Sequence, residues 1–221
     1  MEKVRISSHL TIWAEATKAD KDQIEDEVVE LTEKLKNLPE SWQTVAALEQ
    51  INKSNEEAEM AKKSSCRAGC SHCCYQGITV TDEEAQLIAE VVDRYKIDVD
   101  MKQLKRQKDW GRQDYFRAKR RYSRCAFLID NECSIYEARP AACRNFFVSS
   151  EPENCKNKYR SDRRNYPIQS VFNPEAHVIA SALYTLSETK PGLLATKMWE
   201  KLTCEPSDEV PRRTQEDAKP L

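Results

Sequence analysis

Apolar residues in the first part of the chain recur at helical spacing. Ile24, Val28, Leu31, Leu35 and Leu38 step by 4, 3, 4 and 3, marking one face of a helix that Pro39 ends. A second helix follows, with Ser41 as its N-cap and Trp42, Val45, Leu48 and Ile51 on its apolar side. Helix resumes at Thr81, where Thr81-Asp82-Glu83-Glu84 fits a capping box. Leu87, Ile88, Val91, Val92 and Tyr95 form the stripe expected to be buried. Two short apolar runs, Ala126-Phe127-Leu128-Ile129 and Cys133-Ser134-Ile135-Tyr136, flank the turn signal Asp130-Asn131-Glu132 and read as a small hairpin. Further on, Pro174 suits a first helical turn, and Ala176, Ile179, Leu183 and Leu186 step by 3, 4 and 3. Pro191-Gly192 interrupts the pattern before Leu194, Met198 and Leu202.

Composition narrows the class. Of 221 residues, 33% are charged and 39% hydrophobic, with a mean hydropathy of −0.76, so the core is expected to be thin. No apolar stretch approaches the roughly 18 residues a membrane span needs. Met1-Glu2-Lys3-Val4-Arg5 leads into no apolar run, which points to a cytoplasmic protein without a signal peptide. Only four glycines occur and no GxGxxG or Walker A pattern is present, which argues against a nucleotide-cradling loop. Charge is unevenly spread, although the net is only −2. Residues 1–64 hold fourteen acidic and nine basic side chains, the bias of a helical hairpin packed on the rest or of a partner-binding arm. Residues 101–124 hold ten Lys or Arg against Asp109 and Asp114, with Trp110, Tyr115, Phe116 and Tyr122 interleaved. That segment is either a solvated helix offsetting the acidic region or a surface for an acidic protein or nucleic acid.

The nine cysteines carry the chemistry. Eight fall in two sets: Cys66-x3-Cys70-x2-Cys73-Cys74, and Cys125-x7-Cys133-x9-Cys143-x11-Cys155. Thiolates at such close spacing turn a loop around a soft ion, and Gly69 can supply the positive φ of a tight turn. Adjacent side chains project in different directions, so Cys73 and Cys74 serve two sites, or two atoms of one cluster, more naturally than one ion. Disulfides do not suit a reduced compartment, and adjacent cysteines bond each other only with strain. A reactive thiol beside His72 has no further support, and His9 and His177 stand alone. Cys66-x3-Cys70-x2-Cys73 also has radical-SAM spacing, but the repeated strand–helix units of that barrel are missing from the flanks.

The motifs together resemble a known family. Cys66-x3-Cys70-x2-Cys73-Cys74, the segment Cys125–Leu128, and Cys133-x-Ile135-Tyr136-x-x-Arg139-Pro140-x-x-Cys143-Arg144-x-Phe146 are similar to the YkgJ-type cysteine-cluster proteins, and Cys155 falls about where that family places its last cysteine. The resemblance covers residues 66–155 and implies a zinc- or iron-chelating module with Cys66, Cys70, Cys73, Cys74, Cys125, Cys133, Cys143 and Cys155 as ligands. Cys204 matches nothing in it and reads as a free cysteine. Pro140 would fix the backbone ahead of Cys143, Arg139 or Arg144 would offset thiolate charge, and Tyr136 would pack. The module is shared with flagellin lysine N-methylases, which use S-adenosylmethionine (SAM); no glycine-rich SAM loop is present here.

The expected fold is mainly α: helical flanks around a small irregular cysteine-rich metal-binding core with at most a short β-hairpin. The expected segments are 1–64 (N-terminal helices), 65–165 (cysteine module), 166–203 (C-terminal helices packing on the module) and 204–221 (disordered tail). Three functions follow: a protein chelating zinc or iron, including an iron–sulfur cluster such as [4Fe–4S]; a SAM-dependent protein-modifying enzyme; or a zinc-scaffolded module binding an acidic partner or nucleic acid through 101–124.

Overall fold

The computed structural model describes residues 4–67, 69–157 and 168–203. The expected tail, Cys204 included, lies outside the described residues, as does 158–167. The helices are α1 (Ser8–Thr17), α2 (Lys21–Lys36), α3 (Glu40–Glu57), α4 (Met60–Lys63), α5 (Asp82–Tyr95), α6 (Met101–Gln107), α7 (Arg112–Arg117), α8 (Arg120–Ser123), α9 (Ala141–Arg144), α10 (Pro152–Asn157), α11 (Pro174–Leu186) and α12 (Leu194–Thr203). A 3-10 turn spans His72–Tyr75. The strands are two residues each: β1 (Thr79–Val80), β2 (Leu128–Ile129), β3 (Glu132–Cys133), β4 (Phe147–Val148), β5 (Ser170–Val171) and β6 (Gly192–Leu193). They pair antiparallel as β1–β6, β2–β3 and β4–β5.

The mainly α architecture read from the sequence is the one that forms. Ladder β2–β3 is the expected hairpin, closed by Asp130 and Asn131 at φ 47° and 66°. Two successive positive φ values match the right-handed twist of a two-residue hairpin, and Asp and Asn tolerate them. The other two ladders join segments far apart in sequence, which no local pattern announces.

Helix ends and burial depart from expectation at three places. Helix α3 starts at Glu40, capped by Pro39, whose carbonyl accepts the Trp42 N–H at 2.8 Å; Ser41 lies inside the first turn instead of capping it. Leu38 falls beyond the end of α2 and is 37% exposed. Thr32 is buried on that helix in its place, its hydroxyl donating to the Val28 carbonyl at 2.7 Å. Tyr95, at the far end of α5, is exposed, while Glu84 and Ala85 at the near end are buried.

The core has two patches. Leu10, Val28, Leu35, Ile51 and Leu183 unite α1, α2, α3 and α11. Val80, Ile88, Leu104, Phe127, Ile135 and Met198 unite β1, α5, α6, the hairpin and α12. The two C-terminal helices therefore diverge: α11 lies against α2 and α3, and α12 against α5 and α6. Polar side chains stitch α3, α9 and α11 together. The Asn55 amide donates to the Arg144 carbonyl and the Asn145 side chain, both at 3.2 Å, and Asn145 donates to the Ala176 carbonyl at 2.9 Å. Asn173 donates to Ser54 and Asn55 at 3.0 and 3.1 Å. Among the described residues no helix is long and apolar enough to cross a membrane.

The first patch carries a buried imidazole. His177, on α11, stacks on Phe172 at 4.1 Å, which in turn stacks on Trp13 at 5.6 Å. Its other neighbour is His9 of α1, at 5.9 Å between rings. Burial, then the His9 charge, hold the His177 pKa down to about 4. The neutral ring is thus the one the fold accepts. Its contribution is complete above the ordinary histidine range and is lost as pH falls from about 6.5 towards 4, a loss of about 3 kcal/mol. Urea midpoints at pH 7 and pH 4 test this: wild type should lose about that much more stability than His177→Phe, which keeps the stack without a titrating ring. Equal losses in the two proteins would contradict it.

Candidate metal centre

All eight cysteines of the two sets line one cavity of about 900 Å³. Backbone hydrogen bonds bring the sets together. The Cys125 N–H donates to the Cys74 carbonyl at 2.7 Å, and the Ser65 N–H donates to the Val148 carbonyl at 2.8 Å. Helix α10, which carries the buried Cys155, packs against the 3-10 turn. The loop entering that turn is closed by the Cys70 N–H on the Arg67 carbonyl at 3.0 Å, with Gly69 at φ +78°, the conformation its lack of a Cβ permits.

The thiols lie close enough to feel one another: charge at Cys73 disfavours ionisation of Cys66, Cys74, Cys125, Cys133 and Cys143. Hydrogen bonding between the adjacent thiols favours the thiolate at Cys73 and disfavours it at Cys74. Burial pushes Cys125 up to about 12 and raises Cys66, Cys133 and Cys143. Such thiols ionise when a cation arrives to take the charge. Sulfur donors of this kind suit zinc or iron, so the donor set fits a soft metal. Among the described residues no three His, Cys, Asp or Glu side chains already stand as a metal-holding group. The thiols ring the cavity wall.

Basic groups surround this wall, in roles the sequence only partly indicated. Arg139 is the charge partner: it favours the thiolate at Cys73, Cys133 and Cys143. Its guanidinium lies 3.5 Å over the Tyr136 ring, and its Nε donates to the Tyr136 carbonyl at 2.9 Å. Tyr136 is 56% exposed, so it supports Arg139 and does not pack in the core. Arg144 is instead buried and structural, donating to the carbonyls of Arg139 (2.6 Å) and Glu137. Burial lowers its pKa below the usual guanidinium value.

Two residues have roles that the sequence reading did not give them. Arg120 lies 3.6 Å over the Tyr75 ring and pairs through Nη2 with His72 Nδ1 at 3.0 Å. Side chains three apart on a 3-10 turn eclipse, so Arg120 clamps the face that His72 and Tyr75 share. Burial, then Arg120 and Lys156, keep the His72 pKa low, and the Nδ1 of a neutral ring accepts the hydrogen bond that Arg120 donates. The second is Glu84. Its capping box is the one the sequence predicts, with Thr81 Oγ1 accepting the Glu84 N–H at 3.1 Å and Glu84 accepting the Thr81 N–H at 2.9 Å. Its other oxygen accepts the Ala141 N–H at 2.7 Å, which holds the first turn of α9 ahead of Cys143. Pro140, at φ −65°, caps that same turn. Burial raises the Glu84 pKa to about 7.

Glu84→Ala strands two buried N–H groups, each costing about 1–3 kcal/mol. The expected loss is about 2–6 kcal/mol by denaturant titration, with Glu84→Gln in between because one carbonyl oxygen remains to accept. A loss under 1 kcal/mol for Glu84→Ala would show that this tether is not what positions α9.

Residues 65–165 match the model of the CxxCxxCC family, described as "Putative zinc- or iron-chelating domain". That name spells two residues between the first two cysteines; this chain has three, and Gly69 lies in the longer loop. No curated protein and no solved structure matches the chain significantly.

Proposed function

We propose, from the premise that residues 65–165 are a CxxCxxCC chelating domain, that the metal is iron, held as one iron–sulfur cluster in the eight-thiol cavity. The observation that carries this reading is the merging of the two cysteine sets. Two independent structural zinc ions would each take a closed tetrahedron of four ligands, one cysteine set for each ion. Here Cys66, Cys70, Cys73 and Cys74 share one cavity with Cys125, Cys133, Cys143 and Cys155. The sets abut at Cys74 and Cys125, where a backbone hydrogen bond joins them. Adjacent Cys73 and Cys74 would then be available to two metal atoms of one assembly. The ligands are drawn from those eight residues.

A cluster of this type supplies one-electron chemistry, at a potential set by charge, hydrogen bonds and solvent exposure. The chain's own part is to hold and tune it. Arg139 offsets thiolate charge from the rim, and the Arg120–His72–Tyr75 clamp fixes the turn that presents Cys73 and Cys74. Metal and acid-labile sulfide analysis of protein purified without oxygen tests the reading. Iron and sulfide in equal amounts, with absorbance near about 400 nm, is the expected result. Colourless protein with two zinc ions per chain and no sulfide would overturn it.

A further inference from the structure

Helices α6, α7 and α8 form part of the wall of the cysteine cavity. Gln103 and Gln107 of α6 donate their amides to the Tyr122 and Arg124 carbonyls at 2.5 to 3.0 Å, which ties α6 to the chain that leads from α8 into Cys125. Leu104, Gln107 and Tyr115 line the cavity that the eight cysteines share. The Tyr115 hydroxyl donates to the Gln107 side chain at 3.3 Å. Burial, then charge at Cys125, raises the Tyr115 pKa, so this hydroxyl is close enough to feel that thiol. Trp110, half-buried between α6 and α7, meets the Tyr115 ring edge-on at 5.1 Å between centres. A short packed path therefore runs from the outside of these helices, through Trp110 and Tyr115, to the cavity. Arg120 of α8 holds the turn that carries Cys73 and Cys74.

The outside of the same helices is basic. Lys102, Lys105, Arg106, Arg117, Lys119 and Arg121 are exposed, and none has a carboxylate partner among the described residues. The Arg106 and Arg121 guanidiniums lie 4.7 and 4.6 Å from the centre of one Tyr122 ring. Their hydrogen-bond partners are neutral: the Gln103 oxygen for Arg106 and the Tyr122 hydroxyl for Arg121. The two acids of the segment are used, Asp109 on Lys108 at 2.6 Å and Asp114 on the Gly111 N–H at 2.7 Å. Residues 101–124 carry a net +8 in a chain of net −2, whereas residues 1–64 hold fourteen acidic and nine basic side chains. An approaching acidic protein is drawn to α6–α8 and turned away from α1–α3.

We propose that the α6–α8 surface docks an acidic one-electron carrier protein, of the ferredoxin or flavodoxin class, which exchanges single electrons with the cluster behind it. The inference rests on the iron–sulfur reading above. One electron leaves the reduced centre of one protein and reduces the oxidised centre of the other; no bond forms or breaks and no proton moves. Redox encounters use small interfaces, below about 1,200 Å² in total, which three short helices can supply. Nucleic acid would use the charges alone, whereas a carrier also uses their position over the cavity wall.

Stopped-flow mixing of the intact chain, its iron and sulfide measured first, with an acidic plant-type [2Fe–2S] ferredoxin tests it. Each protein serves in turn as the reduced one, so transfer is seen whichever centre has the lower potential. The second-order rate should fall about tenfold or more as ionic strength rises from about 0.01 to about 0.15 M, where the screening length shrinks from about 30 to about 8 Å. Arg106→Gln/Arg121→Gln should slow transfer about tenfold at low salt and flatten that dependence. Its iron, sulfide and photoreduction by a small deazaflavin should stay at wild-type values. Arg106→Lys/Arg121→Lys, which keeps the charge, should recover most of the rate. No transfer in either direction by a loaded chain, or a rate that neither salt nor the glutamine variant changes, would overturn the inference and leave the cluster reading standing. So would oligo(U) that blocks transfer at a concentration equal to the ferredoxin, which would assign the surface to nucleic acid. A chain without iron and sulfide would overturn both.

Discussion

Cys73→Ser should all but empty the metal centre. In small metal-organised modules the apparent binding energy is about 10–16 kcal/mol, so one of four thiolates accounts for roughly 3 kcal/mol, a hundredfold in affinity. Cys73 stands beside the adjacent thiol Cys74, and charge at Cys73 bears on Cys66, Cys125, Cys133 and Cys143. A serine oxygen neither bridges these groups nor binds a soft metal as a thiolate does. Metal content per chain, measured by mass spectrometry on protein handled without oxygen, should fall at least tenfold. Retention of the wild-type content would remove Cys73 from the ligand set.

Stripping the metal with a chelator should unfold the cysteine module and spare the first helical patch. The module's own apolar patch is small, and its segments are held by two-residue ladders and isolated backbone bonds such as Cys125 to Cys74. Ladders of that length have no independent stability in water. The binding energy of the metal, of the size given above, is comparable to the whole stability of an ordinary domain. By contrast, α1, α2, α3 and α11 share a continuous core around Leu10, Val28, Leu35, Ile51 and Leu183. Amide hydrogen exchange should therefore show protection lost through residues 69–157 and kept in α2, α3 and α11. Unchanged protection across the module would mean that the cavity is rigid without metal.

Local signals were legible, and tertiary ones were not. The capping box at Thr81 and Glu84 could be read because all its atoms lie within four residues. The hairpin at Asp130-Asn131 could be read because the turn chemistry is local. The second role of Glu84, on the Ala141 N–H, depends on how α9 docks against α5, and nothing near Glu84 in sequence specifies that. The same holds for Arg120, which is one basic residue among ten in its segment until His72 and Tyr75 select it. Spacing gave two sets of cysteines, whereas only the folded chain brings them to one cavity. Tyr95 looked buried because its helical phase is right, but the helix runs past the core before reaching it.

X-ray absorption at the metal edge of the anaerobically purified chain tests the single-cluster account most directly. The account predicts an iron edge, all-sulfur coordination and a metal–metal scattering path, because one cavity would hold several metal atoms bridged by sulfide. A zinc edge with four sulfurs at about 2.3 Å and no metal–metal path would contradict it.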